Sequence, residues 1–367
     1  MEHIMAETSA ATGLTVQQWD DKVFMEHLSE NRFKGEMGTS ELNVIQVKED
    51  LTKKDGDSVT FALVNKLTGA GVTNGATLEG NEESLDSRSY KLTIAERAHA
   101  VRSNRWENQI SAIDLRKAAK MALKDWAMED TRDRIIAALG SINGVAYGSA
   151  SEGQKDAWLV DNADRVLFGA AVGNNSSNDH SASLANIDNT ADKLTPGAIS
   201  LMKRIAKTAS PKIKPVKDSY AKNGRSYYIL YVPSLLFRDL RENTAIQQAQ
   251  REVSLTGENS RLFEGGDILW DGVIVKEIEE IGILSGVGAG SIDVGPAYFC
   301  GAQALGYAVA ERWKSAEELF DYGRKKGCAI MEMGGIEKLT FGSGSGDTDD
   351  LKDHGVVTGF FAAVADS

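Results

Sequence analysis

Two glycine runs, GAGVTNG over 69–75 and GVGAG over 286–290, are the stretches whose residue types come nearest to phosphate chemistry. A phosphate cradle needs backbone N–H groups converging on the anion and a helix whose positive N-terminus follows directly. Neither run has the GxGxxG spacing, neither leads into a helical pattern, and GxxxxGK[ST] does not occur, so both read as turns. Metal chemistry finds no better footing. His3, His27, His99, His180 and His354 are scattered without an HxH or HExxH pairing, and Cys300 and Cys328 form no CxxC, which supports neither a zinc cluster nor a disulfide framework. In GDTDDLKD the acids Asp347, Asp349 and Asp350 miss the order of a calcium loop, which needs a central Gly and a terminal Glu. The serines lack the GxSxG elbow of a hydrolase. The residues assign no catalytic group, no cofactor and no metal, and what remains is the chemistry of surfaces.

One charged stretch stands out. KRIAKTASPKIKPVKDSYAKNGR, residues 203–225, holds eight Lys or Arg against a single acid, with Lys203, Arg204, Lys207, Lys212, Lys214 and Lys217 in its first part. It reads either as a solvated helix face and loop or as a contact for an acidic neighbour or for nucleic acid. Across the whole chain the net charge is −12, which excludes a protein that coats nucleic acid and favours solubility at high concentration. The 367 residues suffice for one large or two medium domains; 42% hydrophobic and 26% charged residues are ordinary for a globular chain, and 36 Gly against 5 Pro point to many turns and close backbone approaches. The sequence has no apolar run of the ~20 residues a membrane span needs, and MEHIMAETSAATGLTV lacks the pattern of a signal peptide, so a cytoplasmic site of synthesis and no membrane partner are expected.

The elements that position these surfaces follow from periodicity. Val59, Phe61 and Leu63 alternate with polar or small residues, as do Tyr90, Leu92 and Ile94, so residues 56–94 read as two antiparallel strands. They are joined by a tip from about Asn65 to Ser87 carrying Gly69, Gly71, Gly75, Gly80, Glu79, Glu82 and Glu83. That tip is longer than the ~12 to 15 residues beyond which loops tend to be functional or disordered. An isolated ribbon is marginal in water, so the arm is expected to lie against another subunit. A Gly- and Pro-free run then predicts one helix over about 107–139, with Trp106, Ile110, Ile113, Met121, Met128, Ile135 and Leu139 near one stripe and Leu115, Ala119, Ala122 and Trp126 near an opposite one. Further predictions are an amphipathic helix in TVQQWDDKVFMEHL, a strand at Asn43–Val47, a loop-rich segment with little core over 140–193, and α/β structure from Thr195, including strands at Tyr227–Val232, in DILWDGVIVKEIEEI and in GVVTGFFAAVA.

The stretch MGTSELNVIQVKEDLTKKDGDSVTFALVNKLTGAGVTNGATLEGNEESLDSRSYKLTI resembles the major capsid proteins of tailed bacteriophages, in particular the Enquatrovirus-type family. Its hairpin, the E-loop, is matched at Leu51, Lys54, Gly56, Asp57, Val59, Thr60, Phe61, Leu63, Leu67, Thr68, Gly69, Gly71, Val72, Gly75, Leu78, Glu79, Gly80, Glu82, Glu83 and Leu85. YYILYVPSLLFRDLREN, WDGVIVKEI and DHGVVTGF also look like the family's, so the resemblance covers nearly the whole chain.

The resemblance implies an α+β, Hong Kong 97-like fold: an N-terminal arm (1–33), the first strand of the peripheral or P-domain (34–55), the E-loop (56–94), the P-domain with its spine helix (95–194), the axial or A-domain (195–325), and C-terminal strands (326–367). It implies an icosahedral shell around double-stranded DNA, built from hexamers and pentamers and without enzymatic activity, with Val59, Phe61, Tyr90 and Leu92 packing on a neighbour's spine helix. Implied partners are a separate scaffolding protein, since there is no room here for a fused one, together with a portal protein, packaged DNA and a decoration protein. An encapsulin-like nanocompartment shares the fold and stays open, as does a soluble α/β enzyme.

Overall fold

The computed structural model describes residues 32–49, 56–64, 71–73, 77, 79, 82, 87–111, 114–216, 226–254, 263–264, 267–342 and 350–366. Nearly all of the arm expected over 1–33, with its predicted helix, lies outside them. Short β1 (Met37–Gly38) and β2 (Ile45–Lys48) pair in parallel. β3 (Ser58–Val64) and β4 (Ser87–Thr93) form the antiparallel hairpin that the alternation predicts, with Val59 opposite Leu92 and Phe61 opposite Tyr90. β5 (Ala95–Asn104) follows at once and was not expected, because nearly all its side chains are exposed and so lack the alternation of a half-buried strand.

The single helix expected over 107–139 is instead two, α1 (Arg105–Ile110) and α2 (Leu115–Leu139). Ser111 turns to extended backbone after α1, and Asp114 Oδ1 then accepts the N–H groups of Arg116 and Lys117 at 3.1 and 3.2 Å. An aspartate in that role starts a helix as firmly as Gly or Pro ends one. Downstream, α3 (Glu152–Asp161) opens on a Ser151/Gln154 capping box, β6 (Val166–Phe168) follows, and α4 (His180–Ala185) is capped by Asp179. α5 (Pro196–Thr208) has Thr195 as its cap and Pro196 in its first turn, where the missing N–H costs nothing. Then come β7 (Tyr228–Val232), α6 (Ser234–Glu242), α7 (Thr244–Ser254), β8 (Phe263–Glu264), β9 (Asp267–Trp270) and β10 (Val273–Glu277). The chain closes with β11 (Val294–Cys300), β12 (Leu305–Phe320), β13 (Lys325–Lys338), β14 (Thr340–Phe341), β15 (Lys352–Asp353) and β16 (Val356–Ala362).

These elements fall into two compact units. The larger comprises Asn31–Arg97, Glu129–Arg312 and Glu332–Ser367 and holds a mixed seven-stranded sheet in the order β6-β16-β11-β7-β10-β9-β8. One face of that sheet, through Leu230, Phe299, Val357 and Phe361, packs on Ile199 and Met202 of α5 and Leu236 of α6. The other face presents Ile229, Tyr231, Tyr298 and Val356 to Ile135 and Leu139 of α2, and Phe360 to Trp158 and Leu159 of α3. Burial on both faces explains why β11 and β16 are buried at every position and read as continuous apolar runs. Residues 140–193, expected to carry little core, supply Trp158, Leu159, Phe168, Leu184 and Ile187 to it; their apolar side chains are separated by turns and so show no period.

The smaller unit comprises, among described residues, the stretches 98–111, 114–128 and 313–331. It contains the outer halves of β12 and β13, the turn Asp321–Gly323 with positive φ at all three residues, most of β5, α1, and the first half of α2. Trp126 stands edge-on to Trp313 at 5.9 Å and lies 4.8 Å from the His99 ring. The β12–β13 ribbon was not expected. The outer half of β12 is exposed at all but one position and carries no strand period.

A buried polar network fixes the C-terminal strands of the larger unit. Lys338 Nζ lies 2.7 Å from Asp353 Oδ2 with both side chains 2% exposed, Trp158 Nε1–H donates to the same oxygen, and the Asp353 N–H donates to Asn162 Oδ1 at 2.8 Å. Removing one member of a buried ion pair strands the other. Lys338→Met is therefore expected to lower the stability of the unassembled chain by about 3 to 5 kcal/mol in denaturant unfolding, and Lys338→Met with Asp353→Leu to recover most of it. Nearby, burial pushes the His354 imidazole down to about 4, helped by the charges of Arg165 and Lys214. An unfolded His titrates near ~6.5, so the stability from neutral burial is complete above that pH and is lost as pH falls to about 4, a loss of ~3 kcal/mol. His354→Gln is expected to flatten unfolding free energy against pH across that window; an unchanged slope counts against the assignment.

Candidate assembly surfaces

The hairpin β3–β4 is seated on its own chain. Val59, Phe61 and Leu92 are 5%, 2% and 0% exposed and cluster with Ala308, Leu339 and Phe341. Two glycines make the seat. A Cβ on Gly306 of β12 would meet the Phe61 ring at 3.0 Å, and one on Gly335 of β13 would lie 2.1 Å from the Thr93 carbonyl oxygen. Tyr90 is half-buried; its hydroxyl donates to Glu337 at 2.6 Å, and burial with that carboxylate pushes its pKa up. Lys48 completes the seat, its Nζ 4.4 Å from the centre of the Phe61 ring and donating to the Thr60 carbonyl. The expectation that Val59, Phe61, Tyr90 and Leu92 pack on a neighbouring subunit is thereby corrected. A bare ribbon gains too little alone, and it buries its apolar face on the nearest glycine-lined surface.

What leaves the seat is the tip. Val64, at the end of β3, is 59% exposed, Gly71 takes the left-handed conformation at φ +69° with open space around it, and Glu79 and Glu82 are exposed. Gly69, Gly75, Gly80 and Glu83 lie outside the described residues, as does Ile113.

The two apolar stripes expected along one spine helix are also corrected. The break at 111–114 separates Trp106 and Ile110 from the rest, and they are 70% and 67% exposed on α1. On α2 the buried line is Leu123, Ala127, Thr131, Ile135 and Leu139, recurring every four residues, and its first two members belonged to neither stripe. Met121 is 40% exposed, Trp126 is half-buried, and Ile135 is fully buried in the larger unit. Among the described residues, seven of the eleven exposed large hydrophobic side chains lie in the small unit: Val101, Trp106, Ile110, Met121, Leu319, Phe320 and Tyr322. The same unit buries just Leu123, Ala127 and Cys328 among its described hydrophobic residues. Arg116 and Lys120 of α2 both clasp Glu317 of β12, holding that carboxyl below its usual range.

In the basic stretch, Lys203 is taken up by Asp271, whose Oδ1 lies 2.8 Å from Nζ and whose carboxyl is held low by that bond. Arg204 and Lys207 are exposed on α5, Lys212 and Lys214 are exposed beyond it, and Lys217 lies outside the described residues. Of the groups weighed for chemistry, Cys300 is fully buried with its thiol pushed up by desolvation, the opposite of an activated nucleophile. GVGAG forms a turn with Gly286 and Gly290 at positive φ. Gly306 and Gly335 went unnoticed because a seating glycine has no sequence signature beyond a surplus of glycine. Among the described residues, no helix is long and apolar enough to cross a membrane.

Against known proteins, residues 7–364 match the family model described as phage capsid protein. The chain is 27% identical over 348 residues to the major capsid protein of Pseudomonas phage KPP25, covering 89% of each chain. Its structure superposes on a chain of the capsid asymmetric unit of cyanophage Pam1 with a TM-score of 0.85 at 33% identity, covering 99% of this chain and 100% of that one. The capsid of Ralstonia phage GP4 shares the fold at a TM-score of 0.77 and 22% identity, with coverage of 99% and 100%. The fold is thus the α+β, Hong Kong 97-like capsid fold. A two-sided sheet body, a hairpin seated on its own chain and a small unit with exposed apolar side chains agree with that match, and the chain belongs to the phage capsid protein family, as a structural subunit of the phage head shell.

Proposed function

We propose that this subunit closes its shell through two surfaces, the tip of the β3–β4 hairpin and the apolar side chains of the small unit, each meeting another copy of the chain in hexamers and pentamers. The observation that carries the reading is the distribution of exposed apolar surface: among the described residues, seven of the eleven exposed large hydrophobic side chains sit on the unit with the fewest buried ones. Burying an exposed Trp or Ile contributes roughly 1.5 to 3 kcal/mol, so a few such contacts per subunit suffice when they repeat over a lattice. The tip supplies reach and adaptability. Its base is fixed by Phe61 in the Gly306 seat, while residues such as Gly71 let one sequence meet slightly different neighbours.

On this reading the protein is not an enzyme, and its A-domain is the sheet body fed by the half of the chain after Thr195. It assembles in the host bacterial cytoplasm about a separate scaffolding protein, joins a portal protein at one vertex, and encloses double-stranded DNA held without sequence preference. A decoration protein finds its place on the outer surface. The exposed Arg204, Lys207, Lys212 and Lys214 then serve as a contact for an acidic patch or for DNA, guiding register more than strength, since exposed ion pairs add only ~0 to 1 kcal/mol each. The Enquatrovirus-type group is supported by the density of matches between Leu51 and Leu85. An encapsulin-like shell is not favoured, because the relatives named above are phage capsids.

Replacing residues 65–86 by Asn-Gly, which suits a two-residue hairpin, is expected to leave folded chains or capsomers with unchanged circular dichroism and no closed shells by electron microscopy. Normal particles from that variant would overturn the role given to the tip. Trp106→Ser with Ile110→Ser, both on exposed α1, is expected to raise the critical concentration for assembly at least tenfold without lowering the melting temperature of the unassembled chain; an unchanged critical concentration removes α1 from the contact.

A further inference from the structure

We infer that the cavity between α2 and α3, floored by β11 and β16, binds one uncharged, largely apolar small molecule, the size of a benzene ring with a short chain and carrying a single hydroxyl or carbonyl group. The cavity holds about 370 Å3. An apolar cavity of ~150 Å3 already admits benzene, and ligand sites begin at roughly 300 Å3. Its floor is two cross-strand pairs, Pro296 opposite Phe360 and Tyr298 opposite Thr358. Residues two apart on a strand share a face, which brings these four side chains together. Ile136 and Leu139 at the end of α2 form one wall, and Ile142 and Leu284 form another. The space exists because the apolar groups that cover this face of the sheet stay separate: Leu139 and Tyr298 belong to one, Ile142, Trp158 and Phe360 to the other. Native interiors leave few gaps larger than a water molecule, so a space of this size is an exception within a core.

The polar groups decide which molecule fits. Tyr298 and Thr358 are 6% and 5% exposed, and among the described residues neither hydroxyl meets a hydrogen-bonding partner. A hydroxyl kept from bulk water without a partner is costly, and these two line the same cavity. Burial pushes the Tyr298 hydroxyl up, so it stays protonated and can donate, while Thr358 can donate or accept. The other polar groups of the lining are committed. Lys338 Nζ lies 2.7 Å from Asp353 Oδ2, Trp158 Nε1–H donates to the same oxygen at 3.2 Å, and Tyr147 Oη lies 3.3 Å from His180 Nε2. Since Asp353 already matches Lys338, a ligand carboxylate would set a second buried anion beside the first, whereas a neutral hydroxyl or carbonyl needs only the two hydroxyls. Ala137, Ala146, Gly148 and Gly282 at the rim are small and exposed, which leaves a way in.

Binding here is independent of the assembly surfaces, and the test uses the full, unassembled chain with three probes of one shape: para-propylphenol, propylbenzene and para-propylbenzoate. Isothermal titration calorimetry is expected to show one para-propylphenol per chain, with propylbenzene roughly two- to tenfold weaker for want of a hydrogen bond. Para-propylbenzoate is expected to bind about tenfold more weakly than the phenol, or not at all. Tyr298→Phe with Thr358→Val is expected to erase the preference for the phenol over propylbenzene with unchanged circular dichroism. Ala137→Phe, at an exposed position of the rim, is expected to weaken the uptake of both neutral probes. No uptake of para-propylphenol, equal affinity for the three probes, a preference that survives the double variant, or an electron-microscopy map of the assembled particle with a side chain of a second copy seated in the cavity would overturn the site.

Discussion

Among its described residues the small unit of this protein leaves more large apolar side chains in water than it buries, and that imbalance is the constraint on which the proposed assembly depends. Its ribbon and helices keep Leu123, Ala127 and Cys328 from water while Trp106, Ile110, Leu319 and Tyr322 face it. A domain gains stability from the fraction of surface it hides, and a thin layer two elements deep hides little. The larger unit has the opposite character. Its seven-stranded sheet is covered on both faces, and its strands β11 and β16 have no exposed position. Among the described residues, one unit is thus covered on both faces of its sheet while the other leaves most of its large apolar side chains in water.

The hairpin shows how the same logic works within one element. Its strands spend Val59, Phe61 and Leu92 on their own body through the glycine seats at 306 and 335. That fixes the direction in which the arm leaves, and an arm with a fixed root loses less freedom on docking than one that swings from a hinge. Anchoring the base on a neighbour would have left the isolated subunit with an exposed apolar ribbon, an aggregation risk before any lattice existed.

Much of this was legible in the residues, and the failures share a cause. The period of two in β3 and β4, the apolar runs of β7 and β16 and the Thr195-Pro196 start of α5 were visible because each is half or wholly buried within the chain. β5 and the outer half of β12 were not, because a strand exposed on both faces has no side chain obliged to alternate. The break before α2 was missed since its signal is one aspartate, Asp114, in a run otherwise suited to helix. Of the expected contact residues, the hairpin base was recognised by type but assigned to the wrong partner, because alternation reports that a side chain is buried and not against what.

The segment ahead of α4 carries the last step. NNSSNDHSAS looks like solvated loop, yet Asn175 and Asn178 hydrogen-bond each other, Ser183 Oγ accepts the Ser176 N–H, and Asp192 gathers the N–H groups of Ala170 and Asp188 with the Asn174 amide. Polar residues at this density serve as internal partners for a backbone that has no strand or long helix to satisfy it. The segment is thus ordered by side chains where the sheet body is ordered by its ladder. A network of that kind rigidifies only while each member is satisfied. Rigidity here bears on the shell because α3, which the segment packs against, also holds Asp353 through Trp158 and so the strands that close the sheet. The sheet body is thereby held by side-chain bonds as well as by its strand ladder.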